Sequence, residues 1–194
     1  IGSFLQAIPA DTCAVLIDPI QGEAGIRVPP AGFLRQLRQL CDETNTLLIL
    51  DEIQSGLGRT GKWFAFQHEG IRPDALILGK ALGGGIMPVS AFVADHSIMD
   101  LFDAGSHGST FGGNPLAAAI GLEALKVLEE EELIDNSAQL GHYLVERLKA
   151  MNSPAIREIR GRGLWVGVEL DRDARPICEA LLAEGLLTKE THEN

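Results

Sequence analysis

Lys80 lies in Asp74-Ala-Leu-Ile-Leu-Gly-Lys-Ala-Leu-Gly-Gly-Gly85, where a lone cation ends a short apolar run and three glycines follow. A lysine at the mouth of a strand, partly desolvated and facing a concave loop, can lose its proton and attack a carbonyl. Glycines beside it let a ligand approach the backbone closely. The plainer alternative is a solvated strand end. Upstream, Leu47-Leu-Ile-Leu-Asp-Glu-Ile-Gln-Ser-Gly56 is a second apolar run that empties into two acids, a glutamine and a glycine. A nucleophilic lysine and a carboxylate at two strand ends suit pyridoxal phosphate, whose ring must stay protonated to act as an electron sink. Asp51 fits as the carboxylate against the pyridine nitrogen, Gln54 as a hydrogen-bond partner of the ring oxygen, and Ile53 as packing on the ring face. The alternative for Asp51-Glu52 is a pair of helix-capping acids.

Two further segments have the chemistry of a site. Gly105-Ser-His-Gly-Ser-Thr-Phe-Gly-Gly-Asn-Pro115 is rich in hydroxyls and small residues and precedes a helical pattern. Ser109, Thr110 and nearby backbone N–H groups can bind a phosphate; equally, the segment is a loop and helix start with Pro115 at the first helical position. Asp18-Pro-Ile-Gln-Gly-Glu-Ala-Gly25 is again a strand end running into a polar loop, and it makes Glu23 a candidate site carboxylate.

Taken in order, D-P-I-Q-G-E-A-G, L-D-E-I-Q-S-G, L-G-K-A-L-G-G-G and H-G-S-T-F-G-G-N-P closely resemble the class III aminotransferases, which are fold-type I pyridoxal-phosphate enzymes. The resemblance covers essentially the whole chain. It implies that Lys80 holds the cofactor covalently and later moves a proton between substrate and cofactor. It also implies that Asp51 pairs with the pyridinium nitrogen, that Ile53 and Gln54 contact the ring, and that Thr110 binds the cofactor phosphate of a neighbouring subunit. A homodimer or higher homo-oligomer follows. Within the class the ornithine-type members are most similar, on Glu23 as a gating glutamate and on the ending Gly185-Leu-Leu-Thr-Lys-Glu-Thr-His-Glu-Asn194. That reading implies transfer of the terminal amine of ornithine to 2-oxoglutarate. In the family the glutamate exchanges partners with an arginine, a switch made by one bidentate guanidinium. That arginine, and the cofactor's own-subunit phosphate turn and stacking aromatic, are not in this sequence. The chain is therefore expected to be an internal fragment of a subunit of roughly twice its length. Acetylornithine or 4-aminobutyrate transamination and aminomutase activity stay open, as does a non-catalytic structural or dimerisation role for the fragment itself.

These residues need strands that end together. Cys13-Ala-Val-Leu-Ile, Leu47-Leu-Ile-Leu, Ala75-Leu-Ile-Leu and Val89-Ser-Ala-Phe-Val are continuous apolar runs, as expected of strands buried on both faces of a sheet. Phe33, Leu37, Leu40 and Cys41 recur at helical spacing between the first two. The pattern predicts a βαβ unit with a right-handed crossover and an α/β fold. Site residues then cluster at the carboxyl ends of the first three strands, where open α/β sheets bind ligands. Helical patterns from Leu116 to about Glu132, and from Ala138 to Met151, mark a boundary after Pro115. Residues 1–115 are read as part of a large, mainly parallel cofactor-binding domain. Residues 116–194 are read as linking helices and part of an α+β small domain, with two strands about Gly161 and Gly163 and a last helix near 174–184. Arg160 and Arg162 flank that turn as structural or solvated residues.

The chain has 194 residues, 45% hydrophobic and 22% charged, with a net charge of −11, which argues against nucleic acid or an anionic membrane as main partner. Cys13, Cys41 and Cys178 show no paired or metal-binding spacing, the five histidines form no ligand cluster, and no metal is expected. No run approaches the roughly 18 apolar residues of a membrane helix. The expected location is the cytoplasm, or the mitochondrial matrix for a eukaryotic source.

Overall fold

The computed structural model describes residue 9 and residues 11–191; the expectations for the two extreme ends fall outside them. Four short strands, β1 (Ala14–Ile17), β2 (Leu47–Asp51), β3 (Ala75–Leu78) and β4 (Ala91–Ala94), form one sheet in that order. β1, β2 and β3 are parallel, and β4 is antiparallel to β3. The expected mainly parallel α/β sheet is present.

Helix α1 (Phe33–Glu43) connects β1 to β2 and seals one sheet face. Its Leu34, Leu37, Leu40 and Cys41 are buried against Leu48 and Leu50, with Val15, Ile17 and Leu76 packed beside them. Leu34, rather than Phe33, is the fully buried residue of the first turn. Both α1 and the sheet are tied by charge. The Glu69 carboxylate accepts the Gly32 N–H at 2.9 and 3.0 Å, at the helix start where backbone N–H groups lack partners. Arg38 donates to Asp74 at 2.6 Å and pairs with Asp42 at 2.8 Å, while Asp74 also accepts the Leu48 N–H. Among the described residues, Leu16, on the face away from α1, is 60% exposed and Phe92 39%.

A short helix α2 (His96–Met99) follows β4. α3 (Pro115–Glu130) begins where expected, with Asn114 accepting the Ala117 N–H at 2.8 Å and Pro115 in the first turn. α4 (Leu133–Ala150) starts earlier than Ala138, directly after the exposed acid run. β5 (Ile156–Arg162) and β6 (Trp165–Leu170) form an antiparallel hairpin, and α5 (Arg175–Ala183) follows. The hairpin turn is wedged between α4 and the loop near Thr60. A methyl on Gly163 would lie 2.5 Å from the Thr60 carbonyl carbon, one on Gly61 2.8 Å from Ala138 Cα, and one on Gly141 would collide with Gly163 backbone. Ser137 closes the contact, donating to Arg59 O and accepting the Leu164 N–H.

Candidate active site

The parallel register sets the site. Ile17 pairs with Leu50 and Asp51 with Ile77, so Asp18, Asp51 and the Gly79-Lys80 step leave the sheet at the same edge. Lys80 opens a single 3-10 turn (Lys80–Gly83) and has φ 44°. A non-glycine residue in this region is strained by about 1 kcal/mol or more, a feature that concentrates at functional sites. α3 supports the turn from behind: a methyl on Gly121 would sit 3.4 Å from the Leu82 carbonyl oxygen. The Lys80 side chain is exposed, and among the described residues its ammonium has no hydrogen bond or ion pair. That arrangement contradicts neither reading of the lysine, but the strained φ is not what a plain strand end requires.

Asp51 Oδ1 accepts the Ile53 N–H at 2.9 Å, which orients the carboxylate and leaves Oδ2 without a protein donor among the described residues. Ile53 packs on the backbone before the lysine, 3.4 Å from where a Gly79 methyl would lie. Asp18 joins this group although its motif drew attention only to Glu23. Burial raises the Asp18 pKa, the Asp51 charge raises it further, and the Lys80 charge opposes both. The signal was available: an acid at the end of β1, in register with Asp51.

Glu52 does something different from Asp51. Successive strand residues face opposite ways, and Glu52 is 1% exposed. It accepts the Ser55 hydroxyl at 2.5 Å, and at 3.0 Å each the N–H groups of Ala65 and Phe66 at the start of a 3-10 turn (Ala65–His68). Burial raises its pKa, and the hydrogen bonds pull the other way. The helix-capping alternative is therefore correct for Glu52 and incomplete for Asp51.

Glu23 and Gln54 meet across the loops after β1 and β2, with Gln54 Nε2 donating to Glu23 Oε1 at 3.1 Å. Their approach depends on Gly22, whose methyl would lie 2.5 Å from Gln54 Oε1 and 2.6 Å from Trp165 Cζ2. Trp165 is buried with Ile20 and Ala65. Arg160 donates to Gly25 O at 3.0 Å and to Glu158 and Glu169, so it is structural as expected and anchors the Glu23 loop to the hairpin.

The segment carrying Ser109 and Thr110 stands off the body. Every residue from 101 to 113 is exposed, and a methyl on Gly105, Gly108 or Gly113 would meet nothing within 4 Å. Ser109 Oγ accepts the Gly112 N–H at 3.0 Å, whereas the Thr110 hydroxyl has no partner among the described residues. His107 stacks edge-on with Phe102. Among the described residues, no hydrogen bond, ion pair or ring contact joins this loop to Lys80.

The profile of the Aminotransferase class-III family matches residues 1–194. The chain belongs to the class III aminotransferases. An ornithine aminotransferase of Exiguobacterium is 58% identical over 193 residues, 100% of this chain and 48% of the relative. Among solved class III structures, an ornithine aminotransferase from Toxoplasma gondii aligns at TM-score 0.97 and 42% identity, over 100% of this chain and 47% of that one. An acetylornithine aminotransferase from Elizabethkingia anophelis aligns at TM-score 0.89 and 46% identity, over 93% and 49%. The chain thus spans about half the length of the class III relatives it matches, and its fold is that of fold-type I.

Proposed function

We propose that the protein carrying this chain is a pyridoxal-phosphate-dependent transaminase that moves the terminal amine of ornithine to 2-oxoglutarate, giving glutamate semialdehyde and glutamate. The observation that carries the reading is the pair of unspent groups at adjacent strand ends, the Lys80 ammonium and Asp51 Oδ2. An amine and a carboxylate oxygen without protein partners fit a group that presents an aldehyde and a protonated pyridine nitrogen. Bound there, pyridoxal phosphate supplies the electron sink for the charge left when a substrate C–H bond breaks.

The chain's residues do the rest. Lys80 would hold the cofactor, and its amine is placed to take and return the proton at the substrate carbon that bears the transferred amine. Asp51, fixed by the Ile53 N–H, would accept a hydrogen bond from the pyridinium nitrogen, and its charge would favour the protonated ring. Ile53 covers the ring, Gln54 contacts its hydroxyl, and Glu23 meets the substrate's far end. Thr110, on a loop that stands away from its own site, reaches the phosphate in a second copy, which makes the working unit a dimer. Residues 1–115 then form the cofactor-binding part and 116–194 the helices and small-domain part.

Likeness to an acetylornithine aminotransferase at 46% identity supports that substrate as the second reading. Rates of the full-length protein with ornithine, N-acetylornithine and 4-aminobutyrate, each with 2-oxoglutarate, decide between them. The highest kcat/KM is expected for ornithine; a higher value for N-acetylornithine replaces the substrate assignment. Loss of all turnover in Lys80→Ala is expected, and retained turnover overturns the reading.

A further inference from the structure

The turn that carries Glu23 is strained, and the β5–β6 hairpin holds it. The N–H of Arg27 donates to Gln21 O at 2.9 Å and the N–H of Gln21 to Arg27 O at 3.1 Å, while the N–H groups of Gly25 and Ile26 both reach Gly22 O at 3.1 Å. Closing so tightly puts Ile26 at φ 54°, where a β-branched residue is an outlier. Such a conformation persists only where its surroundings over-determine it. Ile26 and Val28 pack on the buried Ile20, Ala65 and Trp165, and a methyl on Gly167 would lie 3.3 Å from Gly25 O and 3.5 Å from Ile26 Cβ. Arg160, whose side chain is 12% exposed, divides its donors. Its Nε donates to Gly25 O at 3.0 Å, whereas Nη1 serves the carboxylates of Glu158 and Glu169.

We propose that Arg160 is a positioning residue for Glu23, acting through the Gly25 carbonyl. This rests on the transaminase reading, in which Glu23 meets the far end of the amine donor. The Glu23 side chain is 72% exposed, so its place is set by the turn beneath it more than by packing around it. A carboxylate that must meet an amine at one point loses attraction when its backbone wanders. Nε holds the turn and Nη1 joins the hairpin's charges, so the two jobs separate on substitution. Arg160→Lys keeps a cation for Glu158 and Glu169 but has no nitrogen at the Nε position. Arg160→Gln keeps a donor there, since its Nε2 is as many bonds from Cα as the arginine Nε, and loses the cation.

Two readouts on the full-length protein test this. Hydrogen exchange in peptides spanning 21–28 is expected to accelerate about tenfold in Arg160→Lys and to stay near wild type in Arg160→Gln. Donor preference is read with ornithine and with 5-aminopentanoate, which has the same chain and transferable amine but lacks the second amine that faces Glu23. Arg160→Lys is expected to lower the kcat/KM preference for ornithine about three- to fivefold, through KM rather than kcat, whereas Arg160→Gln keeps the preference and lowers the unfolding midpoint. In a Glu23→Gln background Arg160→Lys is expected to leave the preference unchanged. Unchanged exchange in Arg160→Lys, a larger loss of preference in Arg160→Gln than in Arg160→Lys, or an effect that survives Glu23→Gln overturns the proposal. The expected exchange pattern in a protein that transaminates neither donor would instead refute the functional reading.

Discussion

Replacing Glu52 with alanine removes a buried acceptor from three donors at once: the Ser55 hydroxyl and the Ala65 and Phe66 amides. A hydrogen bond to a charged group contributes about 1.5–3 kcal/mol, and an orphaned buried donor costs about 1–3 kcal/mol. The three losses share one site and are not additive, so the local opening of residues 64–67 is expected to become about 3 kcal/mol easier. At about 1.4 kcal/mol per tenfold, amide exchange there accelerates by about two orders of magnitude. Glu52→Gln keeps one acceptor oxygen and places an NH₂ against the remaining donors. It also escapes the cost of burying a charge, which is what raises the Glu52 pKa. The expected acceleration is then about tenfold. The sign with pH follows. A carboxyl whose folded pKa is raised stabilises most when protonated, so wild type loses ground to Glu52→Gln as pH rises from the ordinary Glu value through the folded one. Hydrogen exchange read by mass spectrometry on peptides spanning 64–67 is the assay. Exchange in Glu52→Ala within about twofold of wild type would refute the capping account.

Three other outcomes are expected for the full-length protein. Burial, reinforced by Arg162, lowers the His68 pKa, so the folded state favours neutral imidazole; stability falls as pH drops through the ordinary His value, and His68→Gln flattens that part of the thermal-midpoint profile. Gly141→Ala drives a methyl into Gly163 backbone and costs about 3 kcal/mol, seen as a lower unfolding midpoint, whereas Gly85→Ala, with open space around it, costs about 1 kcal/mol of backbone strain. Asp74→Ala strips a partner from Arg38 and an acceptor from the Leu48 N–H, for a loss of about 2 kcal/mol in chemical denaturation.

The sheet was legible because short apolar runs ending in acids, glycine or lysine specify both the strands and the edge at which they open. The roles of paired acids were not. Asp51 and Glu52 are adjacent in sequence, and only strand alternation sends one to the site and the other into the core. Contacts across long separations were equally hidden: Arg160 with Gly25, Gly141 with Gly163, and Lys189 with Glu23 depend on how the hairpin and the segment after α5 fold back. The apolar content of Leu16 and Phe92 signals burial without saying what covers them.

In the proposed transaminase, Lys80 is the residue that binds the cofactor. Full-length protein mixed with pyridoxal phosphate, reduced with borohydride and mapped by mass spectrometry tests it directly. One pyridoxyl group is expected, on Lys80. Scattered labelling of surface lysines, or a single label at another lysine, would contradict it.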